Sequence, residues 1–231
     1  MLTKEQVEEL FSFCKKHHVH HYDVQVELVD HLANAIETKI EADKNLSFTM
    51  ALISVHGGFG IKGFAEVVNS RARSLSNQYN KLKKQLLFSY FTWPKAAMTV
   101  CLFLILSLLP KFLTGDQLFY SPVILMFCLL VFEIYVSWQI NHFRKKQNQK
   151  LLITDTRPEA SFFNAALVPQ LMMLFIKHSD FDKDQKTGFI IYYVFIIILI
   201  FSFVGTLAYK DLTNKIRQMA REQYPEVFAV A

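Results

Sequence analysis

Apolar residues fall into two patterns along the chain. Up to residue 92 they recur at helical spacing, singly or in short runs, among polar and charged residues. From residue 93 to 209 they fill four blocks: Trp93–Leu113, Leu118–Ile140, Ser161–Ile176 and Thr187–Tyr209. A bilayer core is about 30 Å thick and takes about 20 apolar residues to cross as a helix. The fourth block holds no charged residue between Thr187 and Tyr209. The third is the shortest, and Asn164, Pro169 and Gln170 interrupt it. The pattern predicts an all-α protein: a small cytoplasmic helical bundle over 1–92, a four-helix transmembrane bundle over 93–209 and a tail over 210–231.

The first 92 residues read as helices. Thr3 followed by Gln6 is a capping-box signature. Val7, Leu10, Phe11 and Cys14 then repeat at helical spacing. After the turn His17-His18-Val19-His20-His21, Asp23 is placed to cap a second helix with the stripe Leu28, Leu32, Ile36 and Ile40. Ser47 is placed to cap a short third helix, Phe48–Val55, which Gly57-Gly58 stops. A fourth begins near Ile61 and runs towards Phe91, and Pro94 marks the membrane entry. Its stripe is Phe64, Val67, Val68, Leu75, Tyr79, Leu82 and Leu86, surrounded by Arg71, Arg73, Lys81, Lys83 and Lys84. Such a helix closes a bundle as a stalk, or lies on anionic lipid headgroups through those five basic residues.

Charge then sets an orientation. Of the 25 Lys and Arg, only Lys111, Lys177, Lys183 and Lys186 fall in the loops after the first and third blocks. The rest lie before the first block or at its start, between the second and third, or after the fourth. Basic residues favour the cytoplasmic side of short loops. Both termini are therefore expected in the cytoplasm, in a multi-pass protein of the plasma (inner) membrane. Trp93, Tyr120, Trp138 and Tyr209 sit near block ends, where interfacial aromatic residues belong. Met1 to Lys16 alternates charge and lacks the apolar core of a secretory signal. This topology accounts for the net charge of +5, and no direct binding of nucleic acid is expected.

Candidate chemistry is sparse. Glu27, Asp30, His31 and Asn34 share one helical face. Carboxylates and imidazole are metal ligands, and His17, His18, His20 and His21 lie close in sequence. No second such motif supports a metal, so the four residues read as a polar face for a protein partner, with no metal or cofactor. Glu133 lies inside the second block, where a central acid costs about 2.5–3.5 kcal/mol by insertion scales. It must face the bundle interior, with Lys95, Asn164 and Gln170 as candidate partners. It serves there as a packing clasp or as a ligand, ion or proton site. The cysteines, Cys14, Cys101 and Cys128, follow no metal or redox spacing. Gly-x-Ser-x-Gly, His-Glu-x-x-His and nucleotide-loop signatures are missing. Gly57-Gly-Phe-Gly60 follows a helix and lacks the phosphate-loop lysine, and Asp180-Phe-Asp-Lys-Asp184 lacks the glycine and glutamate of a calcium loop.

The second helix contains Glu27-Leu28-Val29-Asp30-His31-Leu32, followed by Ser47, Ala51-Leu52 and Phe59-Gly60. Residues 20 to 68 thereby resemble the HAAS-type, permease-prefix-like signalling domain that precedes membrane spans in many bacterial proteins. Lys44-Asn45 stands where that family usually has a glycine, and Phe48-Thr49-Met50 where it usually has acids. The resemblance implies a cytoplasmic regulatory or interaction module on a membrane anchor, of a kind often associated with PadR-type transcription regulators. It implies no catalytic residue. The expected function is a membrane-anchored regulatory or adaptor protein whose head binds a cytoplasmic protein. Membrane lipids and a second copy of the chain are the other expected partners. A small transporter or channel component built on Glu133 is the alternative, and a lipid-acting membrane enzyme comes after it.

Overall fold

The protein is described by a computed structural model covering residues 1–60, 63–112, 115–145, 147–156 and 185–229. Among these residues every regular element is helical. The helices are α1 (Lys4–Lys16), α2 (Tyr22–Ala42), α3 (Phe48–Gly57), α4 (Phe64–Ser89), α5 (Lys95–Phe112), α6 (Gly115–Lys145), α7 (Leu152–Asp155) and α8 (Gln185–Gln223), with a 3-10 turn at Pro225–Val227. The predicted third membrane block, with Asn164 and Gln170, lies outside the described residues. The chain divides into two compact units.

The first unit joins Met1–Gln78, Lys146–Arg157 and Ile216–Ala231. Its N-terminal helices form for local reasons. At the start of α1 the Thr3 hydroxyl accepts from the Gln6 N–H at 3.3 Å, and the Gln6 side chain accepts from the Thr3 N–H at 2.8 Å, the expected capping box. Ser47 accepts from the Met50 N–H at 3.4 Å and starts α3. Gly60 and Gly63, both at positive φ, form the turn into α4 where a side chain would be strained. Helix α2 packs against α1, α3 and α7. Its inward stripe is Val24, Leu28, Val29, Leu32 and Ile36, and Leu28, Leu32 and Ile36 are at most 1% exposed.

The short stretch around α7 contributes Leu151, Leu152 and Ile153 to the buried apolar set, and Val227 adds one from the C-terminal stretch. The head is thus larger than its first 92 residues suggest. Part of the basic loop after α6 and part of the basic tail belong to it.

The second unit joins Tyr79–Lys145 and Pro158–Lys215. Three of its described helices are long and apolar enough to cross a membrane, over Lys95–Phe112, Val123–Phe143 and from Tyr192 along α8. Helix α8 is the centre. Tyr192, Ile196, Ile200, Val204 and Ala208 recur every fourth residue and pack with Leu87 and Tyr90 at the end of α4 and with Leu102, Phe103 and Leu106 of α5. On another face of α8, Phe195 and Leu199 pack with Met126 and Leu129 of α6. Helix α5 buries no residue fully and leaves Leu104, Ile105 and Leu108 exposed, the character of a lipid-facing helix.

Along α4 and into the turn after it the buried face runs Phe64, Leu75, Tyr79, Lys83, Leu87 and Tyr90. Lys83, read from the sequence as a headgroup contact, is 8% exposed and has interactions of its own within the protein. The reason is phase: it stands four residues from both Tyr79 and Leu87, on the buried side. Arg71, Arg73, Lys81 and Lys84 are exposed.

Candidate functional site

The start of α2 is the hub of the first unit. Asp23 is 8% exposed, and backbone N–H groups surround its carboxylate. Oδ1 accepts from the Leu152 N–H at 2.8 Å and from the Val24 N–H at 3.1 Å, and Oδ2 accepts from the Ile153 N–H at 2.9 Å. The predicted capping role is therefore displaced. His21 occupies the N-cap of α2 without a side-chain bond, and Asp23 instead binds the first amides of α7, about 130 residues away. A carboxylate at amides that have no helical acceptor satisfies both partners.

The same turn holds further contacts. The Tyr22 N–H donates to the Lys150 carbonyl at 2.8 Å. His21 Nε2 lies 3.2 Å from Asp155 Oδ2. The buried Gln25 amide donates to the Val19 carbonyl at 2.6 Å. The Tyr22 ring sits 6.3 Å from those of Phe11 and Tyr224, which ties the C-terminal stretch to the same place. Burial, followed by the Glu226 carboxylate, raises the Tyr22 phenol above its ordinary value.

Glu27, Asp30, His31 and Asn34 all lie exposed on α2, opposite its buried stripe. Glu27 makes a half-exposed ion pair with Arg71 of α4 at 3.6 Å. The clustered histidines do not converge on this face. His17 and His56 rings are 4.3 Å apart, with Phe13 and Phe64 beside them. His18 lies 6.2 Å from His20, and His21 faces Asp155. Among the described residues no group of three or more His, Cys, Asp or Glu is placed to hold a metal. Burial, then the neighbouring His17, lowers the His56 pKa from its ordinary 6.5. Burial alone pushes the Cys14 thiol up to about 11, an unreactive packing thiol.

In the second unit Glu133 faces α8. Its Oε1 accepts from the Ser202 hydroxyl at 3.4 Å and from the Thr206 hydroxyl at 3.3 Å. Thr206 also donates to the Ser202 carbonyl at 3.0 Å. Ser202 and Thr206 are 5% and 4% exposed. The predicted interior placement of the acid is what these contacts require, but Lys95 is not its partner. Lys95 Nζ lies 3.4 Å from Asp211 Oδ2 and 4.1 Å above the Tyr90 ring, and the Tyr90 hydroxyl donates to that same oxygen at 2.8 Å. The reason is height along α8. Asp211 stands five residues beyond Thr206, about 8 Å at 1.5 Å per residue, on the level where α5 begins. Asn164 and Gln170 lie outside the described residues.

One turn from Glu133, an open cleft of about 330 Å³ runs between α5, α6 and α8, lined by Leu106, Leu125, Leu129, Phe132, Leu199 and Phe203. Its wholly apolar lining suits hydrocarbon rather than ions.

Sequence reasoning missed Asp23, Ser202, Thr206 and Asp211 as site residues. Ser202 and Thr206 carried a signal: hydroxyls four residues apart in an otherwise apolar helix, which share a face. The chain matches no protein-family model, no curated protein and no solved structure.

Proposed function

We infer that this chain is a membrane-anchored regulatory or adaptor protein whose head binds a cytoplasmic protein through the outer face of α2. The observation that carries this reading is the exposed row Glu27, Asp30, His31 and Asn34, set on a helix whose opposite face is the best-buried stripe of the head. A rigid helix presenting polar side chains over two turns is a recognition surface of ordinary kind. The HAAS-type resemblance of residues 20 to 68 points the same way.

The proposed setting is the plasma membrane with both termini in the cytoplasm. A single compact unit lies on one side of a bilayer. Because Met1–Gln78, Lys146–Arg157 and Ile216–Ala231 form one unit, they share a side, and that side carries the basic excess. Four crossings, the third at Ser161–Ile176, is the arrangement that agrees with this. Lipid contacts are assigned to the exposed Arg71, Arg73, Lys81 and Lys84, and association with a second copy belongs to the same proposal. A labelling map that finds the C-terminus outside the cell would overturn the topology.

The test of function is capture from native membranes with the intact protein and with an Asp30→Ala/His31→Ala variant, read by mass spectrometry. Both positions are exposed, so the variant is expected to fold. A protein bound by the parent and lost from the variant supports the reading. Identical capture by both sinks it.

A further inference from the structure

The contacts around Glu133 leave a single hydroxyl hydrogen shared between two acceptors. Thr206 has one hydroxyl hydrogen and two acceptors within reach, the Ser202 carbonyl at 3.0 Å and Glu133 Oε1 at 3.3 Å. The carbonyl is nearer and is the usual local acceptor for a threonine in a helix. With the hydrogen there, a Thr206 lone pair faces a carboxylate lone pair at 3.3 Å. Two acceptors face each other comfortably only with a proton or a cation between them. The Ser202 hydroxyl stands at 3.4 Å from the same oxygen. Both distances exceed the roughly 2.5–2.7 Å of an O–H group bonded to a carboxylate.

The spacing suits cation coordination. Oxygen ligands at about 2.3–2.6 Å, the range calcium takes, lie about 3.3–3.7 Å apart when they are at right angles around the ion. A smaller magnesium-like ion, with ligands at about 2.0–2.1 Å, would draw them to about 2.9 Å. Sodium has nearly the size of calcium and half its charge. Glu133 brings one negative charge and the hydroxyls none, so a monovalent ion leaves the site neutral inside the membrane. A divalent ion would leave a net charge there, at high desolvation cost. The second carboxylate oxygen makes no hydrogen bond among the described residues and is available as a further ligand. An acid within a span is, by default, a mark of an ion or proton site.

We propose that Glu133 with the hydroxyls of Ser202 and Thr206 forms a binding site for a small monovalent cation of sodium size, bridging α6 and α8. The regulatory reading is not needed for it: the site stands even if the α2 face has no partner.

The experiment measures thermal unfolding of the intact purified protein in sodium chloride and in choline chloride at equal ionic strength and pH. Sodium is expected to raise the midpoint saturably, by on the order of 5 °C at a hundredfold excess over Kd. Glu133→Gln and the Ser202→Ala/Thr206→Val pair are expected to abolish that difference. Should those variants fail to fold, the parent protein still decides: sodium, and not choline, must slow modification of Glu133 by a hydrophobic carbodiimide. Equal midpoints and equal modification in the two salts overturn the proposal. So does stabilisation by acid alone in both salts, which identifies a proton-bound clasp.

Discussion

Among the described residues, Asp23 in the first unit and Glu133 in the second are carboxylates in shielded positions, and they are treated differently. Asp23 is held by three backbone N–H groups at 2.8–3.1 Å, two of them from α7. Glu133 meets two side-chain hydroxyls at 3.3–3.4 Å through one oxygen. Backbone amides are donors only and cannot turn away. Hydroxyls rotate and either donate or accept. Asp23 is therefore bound into the fold, buried and with three of its roughly four acceptor sites taken. Glu133 keeps coordinating capacity, with partners able to exchange a hydrogen for an ion. A buried charge marks function when its partners are adjustable, and architecture when they are fixed.

The sharpest way to break this comparison is at Asp23. Asp23→Ala leaves the Leu152 and Ile153 amides buried without acceptors, and each such loss costs about 1–3 kcal/mol. Chemical unfolding of the intact protein should show a loss of about 2–5 kcal/mol, and limited trypsin digestion should newly cut after Lys150. If Asp23→Ala unfolds like the parent, the latch is not structural. Leu151 is 0% exposed. Leu151→Ala, which removes the apolar half of the same attachment, is expected to cost about 2–4 kcal/mol, again with cleavage at Lys150.

A smaller effect is expected at the edge of the membrane unit. Asp211→Asn weakens the contacts to both the buried Tyr90 and the half-exposed Lys95, whose ion pair with Asp211 is screened by solvent. Its cost should be about 1 kcal/mol in unfolding, without trypsin cleavage at Lys150. Acid should also act on the head alone. The His56 pKa is lowered in the fold, so the protein binds fewer protons folded than unfolded. Its contribution is complete above pH 6.5 and is lost as pH falls below that value through the lower folded pKa. Head unfolding followed from pH 8 to pH 5 should weaken towards pH 5, and a His56→Phe variant should flatten that slope. The smallest change belongs to the exposed Glu27–Arg71 pair, where Arg71→Ala should move stability by no more than about 0.5 kcal/mol.

What the sequence revealed follows from range. The Thr3–Gln6 box, the Ser47 cap, the α2 stripe and the apolar blocks rest on residues within a few positions of one another. They were legible as periodicity and capping chemistry. Asp23 was legible as a helix-start residue, but its use was not, because its acceptor role is fixed by amides 129 and 130 residues away. The interior placement of Glu133 could be argued from burial cost. Its partners could not, because they depend on how far α6 and α8 slide past each other. Lys95 went to Asp211 for the same reason. Lys83 was misread within a single helix: Leu82 and Leu86 fit a helical stripe as well as Lys83 and Leu87, and only packing separates the two phases.

The head also has a history written into its composition. A ribosome makes residues 1–78 before the rest of this unit, yet the seat for Leu151 to Ile153 stays empty until α5 and α6 have been made, and Tyr224 reaches Tyr22 only after α8 has been made. Completion of the head therefore waits until the apolar helices in between have been made. Until then the head holds an open apolar seat beside an Asp23 carboxylate that lacks its two α7 amides. The latch thus makes the head a late-finished unit, although most of its residues are made early.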